Sequence, residues 1–292
     1  MHSSLVAAAL LCATEHGAAC ALKDGVSRSV LRILDGETLL IDGGAEVRLI
    51  GALAPRAADA AAPAEDVPAD GWPLAGKAKS SLEDLVQGRS IELGFAERRS
   101  DRYGRLLAHV FVRDGGEQKW VQGEMLRRGL ARAYGLEGST ACLAELIAHE
   151  RVARETATGL WAEAAYVVRG AEDVDTLMML RGTFQVVEGK VRAVSDVRGT
   201  TYINFGEDFR QDFTVMLQTR ARRTLVTAGL DTKALDQRRI RVRGWIERRG
   251  GPLIAIHHAS EIEVLADVAE PPEMPDPPQR RARSRRPRAS SE

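Results

Sequence analysis

The stretch from Arg239 to Ile246 (RIRVRGWI) alternates strictly, and that alternation restricts the fold more than any other run in the chain. A period of two is incompatible with a buried helix face and fits a strand with two unlike sides. Arg239, Arg241, Arg243 and Trp245 fall on one face, and Ile240, Val242 and Ile246 fall on the other. The apolar face must be covered, so the strand needs partners in a curved or layered sheet. Suitable partners lie nearby: Gly182 to Val194, Thr200 to Phe205, Phe213 to Leu217 and Leu253 to Ile256 read as strands, and Arg220 to Leu235 is helix-compatible.

Five strands with one helix between the third and fourth is the element order of a small OB-type β-barrel over residues 180–265. Residues 24–165 have a different pattern. Ser29 to Leu34, Thr38 to Ile41 and Val47 to Ile50 read as strands, punctuated by Asp35-Gly36 and Asp42-Gly43-Gly44 turns. Pro73 opens a helix with Leu74, Ala78, Leu82, Leu85 and Val86 on one side, and Gly88 closes it. Two more strands follow, at Ser90 to Phe95 and Leu106 to Val112. Helical patterns then run from Val121 to Arg132 and from Ser139 to Thr156, up to Gly159-Leu160-Trp161. The expected class is α+β and β: a barrel packed by three helices, then a second, smaller OB-like barrel.

Composition excludes some alternatives. Hydrophobic residues at 44% and charged residues at 28% exclude a wholly disordered or coiled-coil chain. The formal net charge is +0, a cancellation rather than uniform neutrality. Residues 279–292 carry six arginines against one acid, and the remainder offsets that excess. Residues 267–292 are Pro- and Arg-rich and nearly free of apolar side chains, so a disordered basic tail is expected. Any polyanion binding must therefore come from local clusters and not from the field of the whole molecule.

Leu5 to Ala13 has the length of a secretory apolar core, and Ala19-Cys20-Ala21 fits a small-x-small cleavage rule. Residues 1–21 are expected to be an export signal, although the opening Met-His-Ser-Ser lacks a basic residue; a cleaved signal and an uncleaved anchor both stay open. The expected location is periplasmic or secreted. No apolar stretch reaches the roughly 18 to 20 residues that span a bilayer. The three cysteines are too scattered for a disulfide framework, and after such a cleavage Cys142 would be an unpaired buried thiol.

In residues 24–165 five blocks occur in order: Asp35-Gly36-Glu37-Thr38; Val47-Arg48-Leu49-Ile50-Gly51 with Ala54-Pro55; Asp101-Arg102-Tyr103-Gly104-Arg105-Leu106-Leu107-Ala108; Arg128-Gly129-Leu130-Ala131; and Gly159-Leu160-Trp161. This region resembles the staphylococcal nuclease (thermonuclease) family. The resemblance implies a barrel with three helices and, in an active member, a calcium ion, two phosphate-binding arginines and a glutamate base acting on a phosphodiester. Calcium takes 6 to 8 oxygen ligands, and a guanidinium fork suits a phosphate gaining charge. Arg48 and Arg105 match the two arginines, and Glu37 matches the first metal carboxylate. Leu53 stands at the second metal position and Arg56 at the general-base position, where an arginine cannot accept a proton. The acids Asp59, Glu65, Asp66 and Asp70 follow in the next loop as substitute ligands. The alternative for Arg48 and Arg105 is a structural role, paired with acids such as Glu37 or Asp101. A weaker likeness, carried by Val242-Arg243-Gly244 and Gly251-Pro252-Leu253-Ile254, links the second zone to the OB-like domain that trails some bacterial thermonuclease-like proteins.

Read for binding, the Arg239/Arg241/Arg243/Trp245 face spaces neighbouring arginines about 6.6 to 6.8 Å apart, close to phosphate spacing on an extended single strand. Its alternative is an exposed face paired to acids such as Glu207, Asp208 and Asp212. The expectation is a protein that binds single-stranded DNA, RNA or another polyanion, with a degraded metal site and base. A calcium-dependent nuclease with rearranged ligands and a non-catalytic envelope interaction protein are the alternatives. His257-His258 and the Glu145/His149 pair lack the further ligands of a metal site.

Overall fold

The computed structural model describes residues 20, 22–55, 73–136 and 139–266. The expected leader apart from Cys20, the Arg56 position, the four loop acids and the basic tail lie outside these residues. Among the described residues no helix is long and apolar enough to cross a membrane.

The first unit is built on strands β1 (Lys23–Ile33), β2 (Thr38–Ile41), β3 (Glu46–Leu49), β4 (Ala52–Leu53), β5 (Ser90–Phe95), β6 (Leu106–Asp114), β7 (Glu117–Trp120) and β8 (Arg132–Ala133). The sheet runs β3-β2-β1-β5-β6-β7, and a parallel β3–β6 pairing joins its ends. Five strands thus close a barrel, and β7 extends β6 as a hairpin. Alternation fills the interior: Val47 and Leu49 from β3, Ile91 and Leu93 from β5, and Ala108, Val110 and Val112 from β6 share one core. The three helices are α1 (Ala75–Val86), α2 (Val121–Arg127) and α3 (Leu143–Glu155). Helix α2 stops at Arg127, short of the Arg132 expected from its pattern, because Gly129 turns to φ +63. Gly36 lets α1 approach the β1–β2 turn; a Cβ there would sit 2.8 Å from Ala78 Cβ and 2.9 Å from Ala54 Cβ.

The second unit contains β9 (Arg169–Gly170), α4 (Val174–Met179), β10 (Phe184–Lys190), β11 (Ala193–Val197), β12 (Thr200–Asn204), β13 (Thr214–Gln218), α5 (Thr219–Thr227), β14 (Arg239–Arg249), β15 (Gly251–Ile256) and β16 (Ile262–Val264). The order β11-β12-β13-β15-β14-β10-β9 places β10 and β11, adjacent in sequence, toward opposite ends of one sheet. The sheet curls into a half-barrel. Its hollow is filled by Val187, Ile203, Phe213, Val215, Leu217, Ile240, Val242 and Ile254. The long strand expected over Gly182 to Val194 is two strands, with Val191 and Arg192 at the bend.

Two expectations need correction. Cys20 and Cys142 form a disulfide with a Cα–Cα separation of 4.8 Å, so Cys142 is a buried half-cystine and not an unpaired thiol. The pairing was invisible in the sequence because 122 residues separate its partners. The arginine face of β14 is also not a solvent face. Phe184 and Val186 of β10, opposite Trp245 and Arg243, pack with Leu53, Tyr134, Ala153 and Trp161 of the first unit. The strand has two unlike sides, as its period requires; the arginine side is covered at Arg243, while Arg239 and Trp245 at its ends stay partly exposed.

Candidate functional site

Glu37 follows an Asx turn in which its N–H donates to Asp35 Oδ1 at 2.8 Å. The turn carries the glutamate side chain inward, where the residue is 1% exposed. One carboxylate oxygen accepts from Ala54 N–H at 3.2 Å, and the other lies 3.1 Å from Arg48 Nη2. Arg48 is opposite Thr38 in β2 and Leu107 in β6. Its neighbours Val47 and Leu49 fill the barrel, so Arg48 projects from the outer side. There its guanidinium carbon sits 5.8 Å from the Tyr134 ring centroid.

Arg105 lies two residues before Leu107, the β6 partner of Arg48. Strand spacing and rise put the two arginine Cα atoms about 8 Å apart on the same outer face. Arg105 Nε donates to Asp101 Oδ2 at 2.7 Å, and Asp101 Oδ1 accepts from the N–H groups of Tyr103 and Arg105. Burial pushes the Asp101 carboxyl up, but the Arg105 hydrogen bond and the two backbone donors outweigh it and hold it below its ordinary value. The Tyr103 ring, mostly exposed, lies 5.5 Å from the Arg105 guanidinium carbon. Both ion pairs named as alternatives from the sequence are therefore present. They orient two guanidinium groups on one surface and leave each partly exposed, with side chains 16% and 20% accessible.

The described residues do not make a calcium site. They contain no group of three or more His, Cys, Asp or Glu side chains able to hold a metal. Leu53 is buried among Tyr134, Trp161 and Phe184 and offers no side-chain oxygen. Glu37 faces a guanidinium whose charge repels a cation.

One arginine of β14, Arg243, joins the two units. Arg243, 1% exposed, reaches across to α3: its Nη1 donates to Glu150 Oε1 and Oε2 at 3.0 Å and to the Ala133 carbonyl at 3.1 Å. Its Nη2 bonds Glu263 in β16. Burial opposes the charge on Arg243, but the facing carboxylates of Glu150 and Glu263 override it and keep the group protonated. Arg154 joins the same acids at 2.7 Å and 3.2 Å. Arg241 pairs with Glu188 at 2.8 Å and Glu263 at 3.5 Å, and Arg239 pairs with Glu188 at 2.9 Å. The acids are thus Glu150, Glu188 and Glu263, not Glu207, Asp208 or Asp212. Sequence could have suggested Glu188 only through the β10–β14 register, and Glu150 lies on another unit altogether.

Trp245 is 45% exposed at the end of this row. Its ring meets Phe184 edge-on at 5.9 Å, Phe184 meets Tyr134 at 6.3 Å, and Tyr134 adjoins Arg48. The sequence grouped Trp245 with the arginines; the fold instead connects it, through two buried rings, to the Arg48 side of the barrel.

The closed five-strand barrel and its helices agree with the family comparison, in which the model described as "Staphylococcal nuclease homologue" matches residues 46–163. The first unit is a staphylococcal nuclease-like domain. Relatives of this nuclease-like domain include "Endonuclease YncB" of Bacillus subtilis (strain 168), 36% identical over 97 residues, covering 32% of this chain and 44% of that protein. "SPbeta prophage-derived endonuclease YokF" of the same organism is 31% identical over 147 residues, 50% of this chain and 47% of that protein. An "Uncharacterized endonuclease" of Escherichia coli O157:H7 is 29% identical over 156 residues, 53% of this chain and 82% of that protein. The chain spans about half the length of the first two relatives.

Proposed function

We propose that this protein binds single-stranded nucleic acid or a chemically similar polyanion on the outer face of the nuclease-like barrel, without metal-dependent hydrolysis. The observation that carries this reading is the placement of Arg48 and Arg105 on one surface, each oriented by a carboxylate and still partly exposed. Guanidinium groups held in this way meet phosphate oxygens with little ordering cost. Leu53 at the second metal position and Arg56 at the base position support binding over cleavage. Trp245 extends the surface as a stacking platform for a base, since aromatic faces accept any base. Arg239, half-exposed beside Glu188, adds charge at its edge, while the covered Arg243 is left out of this surface. In this reading residues 24–165 and 180–265 act as two domains, and the tail from 267 supplies a further local positive charge. We also take the protein to be exported, because a disulfide persists in oxidising compartments.

The test is the affinity for a short single-stranded oligonucleotide across a salt series. Each phosphate contact removed lowers the log–log salt slope by about 0.7 for single strands. Arg48→Ala and Arg105→Ala should each weaken binding and flatten that slope, and Trp245→Ala should weaken it without changing the slope. Absence of binding at low salt would exclude the proposal. The endonuclease relatives favour one second reading, a calcium-dependent nuclease with ligands from the 57–70 loop. It requires cleavage of denatured DNA by clean protein supplied with calcium, abolished by a chelator.

A further inference from the structure

The chain is tied down from Cys20 onward. The Cys20–Cys142 disulfide fastens that residue to the first turn of α3, where Cys142 occupies the N-cap position with φ 66. The Cys20 backbone nitrogen donates to Glu145 Oε1 at 2.9 Å. Two residues later Leu22 packs on the small apolar cluster of Ile50, Ala96 and Leu107, and β1 begins at Lys23. Just before this anchor the sequence reads Gly17-Ala18-Ala19, which fits the small-x-small rule as well as Ala19-Cys20-Ala21 does, six residues beyond the apolar run ending at Ala13.

The two sites have opposite consequences. A cut after Ala21 discards Cys20, leaves Cys142 as a buried thiol and removes the bond to Glu145. A cut after Ala19 keeps all three features. We propose that the exported protein is cleaved between Ala19 and Cys20, so that its mature chain begins with a disulfide-bonded cysteine. Water adds across the Ala19–Cys20 amide; Ala19 keeps the new carboxylate, and the Cys20 nitrogen becomes an ammonium. That nitrogen already sits at hydrogen-bond distance from the Glu145 carboxylate, so cleavage converts a neutral donor into a charge-assisted one. Glu145 lies in the first turn of α3, where the helix dipole favours its negative charge. The two thiols each lose a hydrogen to a disulfide-carrying oxidant of the export compartment by thiol–disulfide exchange. The same sulfur cannot also carry a lipid thioether, so Cys20 is a structural terminus and not an acyl anchor. This inference rests on the export reading and is independent of nucleic-acid binding.

The experiment expresses the full-length chain in an export-competent bacterium, recovers it from the periplasm or medium, and reads its N-terminus by sequencing and intact mass. The expected chain begins at Cys20 and takes up a thiol-alkylating reagent at Cys20 and Cys142 only after reduction. Gly17→Leu, which spoils only the proposed site, should abolish processing, and Ala21→Leu should leave it intact. A start at Leu22, a lipid mass on Cys20, alkylation without reduction, or the reverse response of the two variants would each overturn the cleavage assignment while leaving export standing. Full-length precursor retained in the cytoplasm would overturn both.

Discussion

Replacing His109 with methionine isolates one buried histidine that the fold holds neutral. His109 lies in β6 with 0% exposure, against Trp120 at 5.4 Å between ring centroids, and among the described residues neither ring nitrogen has a hydrogen-bond partner. Burial lowers its pKa from 6.5 to about 4. Above pH 6.5 the folded and unfolded chains are both neutral at this residue, and it adds no pH dependence. Below 6.5 the unfolded chain takes up a proton that the folded chain refuses, so stability falls as the pH falls, until the folded state also protonates near pH 4. The gap of about 2.5 pH units at 1.36 kcal/mol each amounts to about 3 kcal/mol. That is a large share of the 5 to 15 kcal/mol typical of a folded domain. Urea unfolding of the wild type and His109→Met between pH 4.5 and 8 measures it. The offset at pH 8 reports packing alone. The wild type should lose stability relative to the variant by about 1.4 kcal/mol per pH unit below 6.5. A constant difference between the two curves across this range would show that His109 is not held neutral, and the reasoning would be wrong. Acids whose pKa values are lowered, among them Asp101, Glu188 and Glu263, remain in both proteins and cancel to first order.

The junction network makes a second prediction: Arg243→Met or Glu150→Gln alone should cost about 3 to 5 kcal/mol in urea unfolding, because each strands a buried partner. Arg243→Met combined with Glu150→Gln should recover part of that loss, and strictly additive losses would contradict direct coupling through the 3.0 Å contacts. Gly36→Ala should destabilise by about 1 to 3 kcal/mol, because its methyl meets Ala54 and Ala78. An unchanged urea midpoint for that variant would mean that α1 can retreat without cost.

Much of the first unit was legible because its signals are local. Turn glycines, a helix opened by Pro73 and strands of period two place β2, β3, β5 and α1 within a residue or two of their observed bounds. The motif blocks located Arg48, Arg105 and Glu37, and the two acids suggested as their partners, Glu37 and Asp101, are the ones in contact. The β14 row was read correctly as a two-faced strand and wrongly as an exposed one. Periodicity assigns side chains to faces and says nothing of what covers a face. An arginine 1% exposed looks the same in sequence as one in water, and the acid that neutralises it lies 93 residues away on α3.

The sequence by itself determined the elements, the family likeness and the residue types that stand at the family's positions, Leu53 and Arg56 among them, since these depend on residue type and near neighbours. Tertiary structure alone decided that the two sheets share a buried junction, that Trp245 connects to the Arg48 side through Phe184 and Tyr134, and that Cys20 pairs with Cys142. Each is a contact between positions distant in the chain. Such contacts are set by how barrel, helix and half-barrel pack together, for which no local pattern carries a signal.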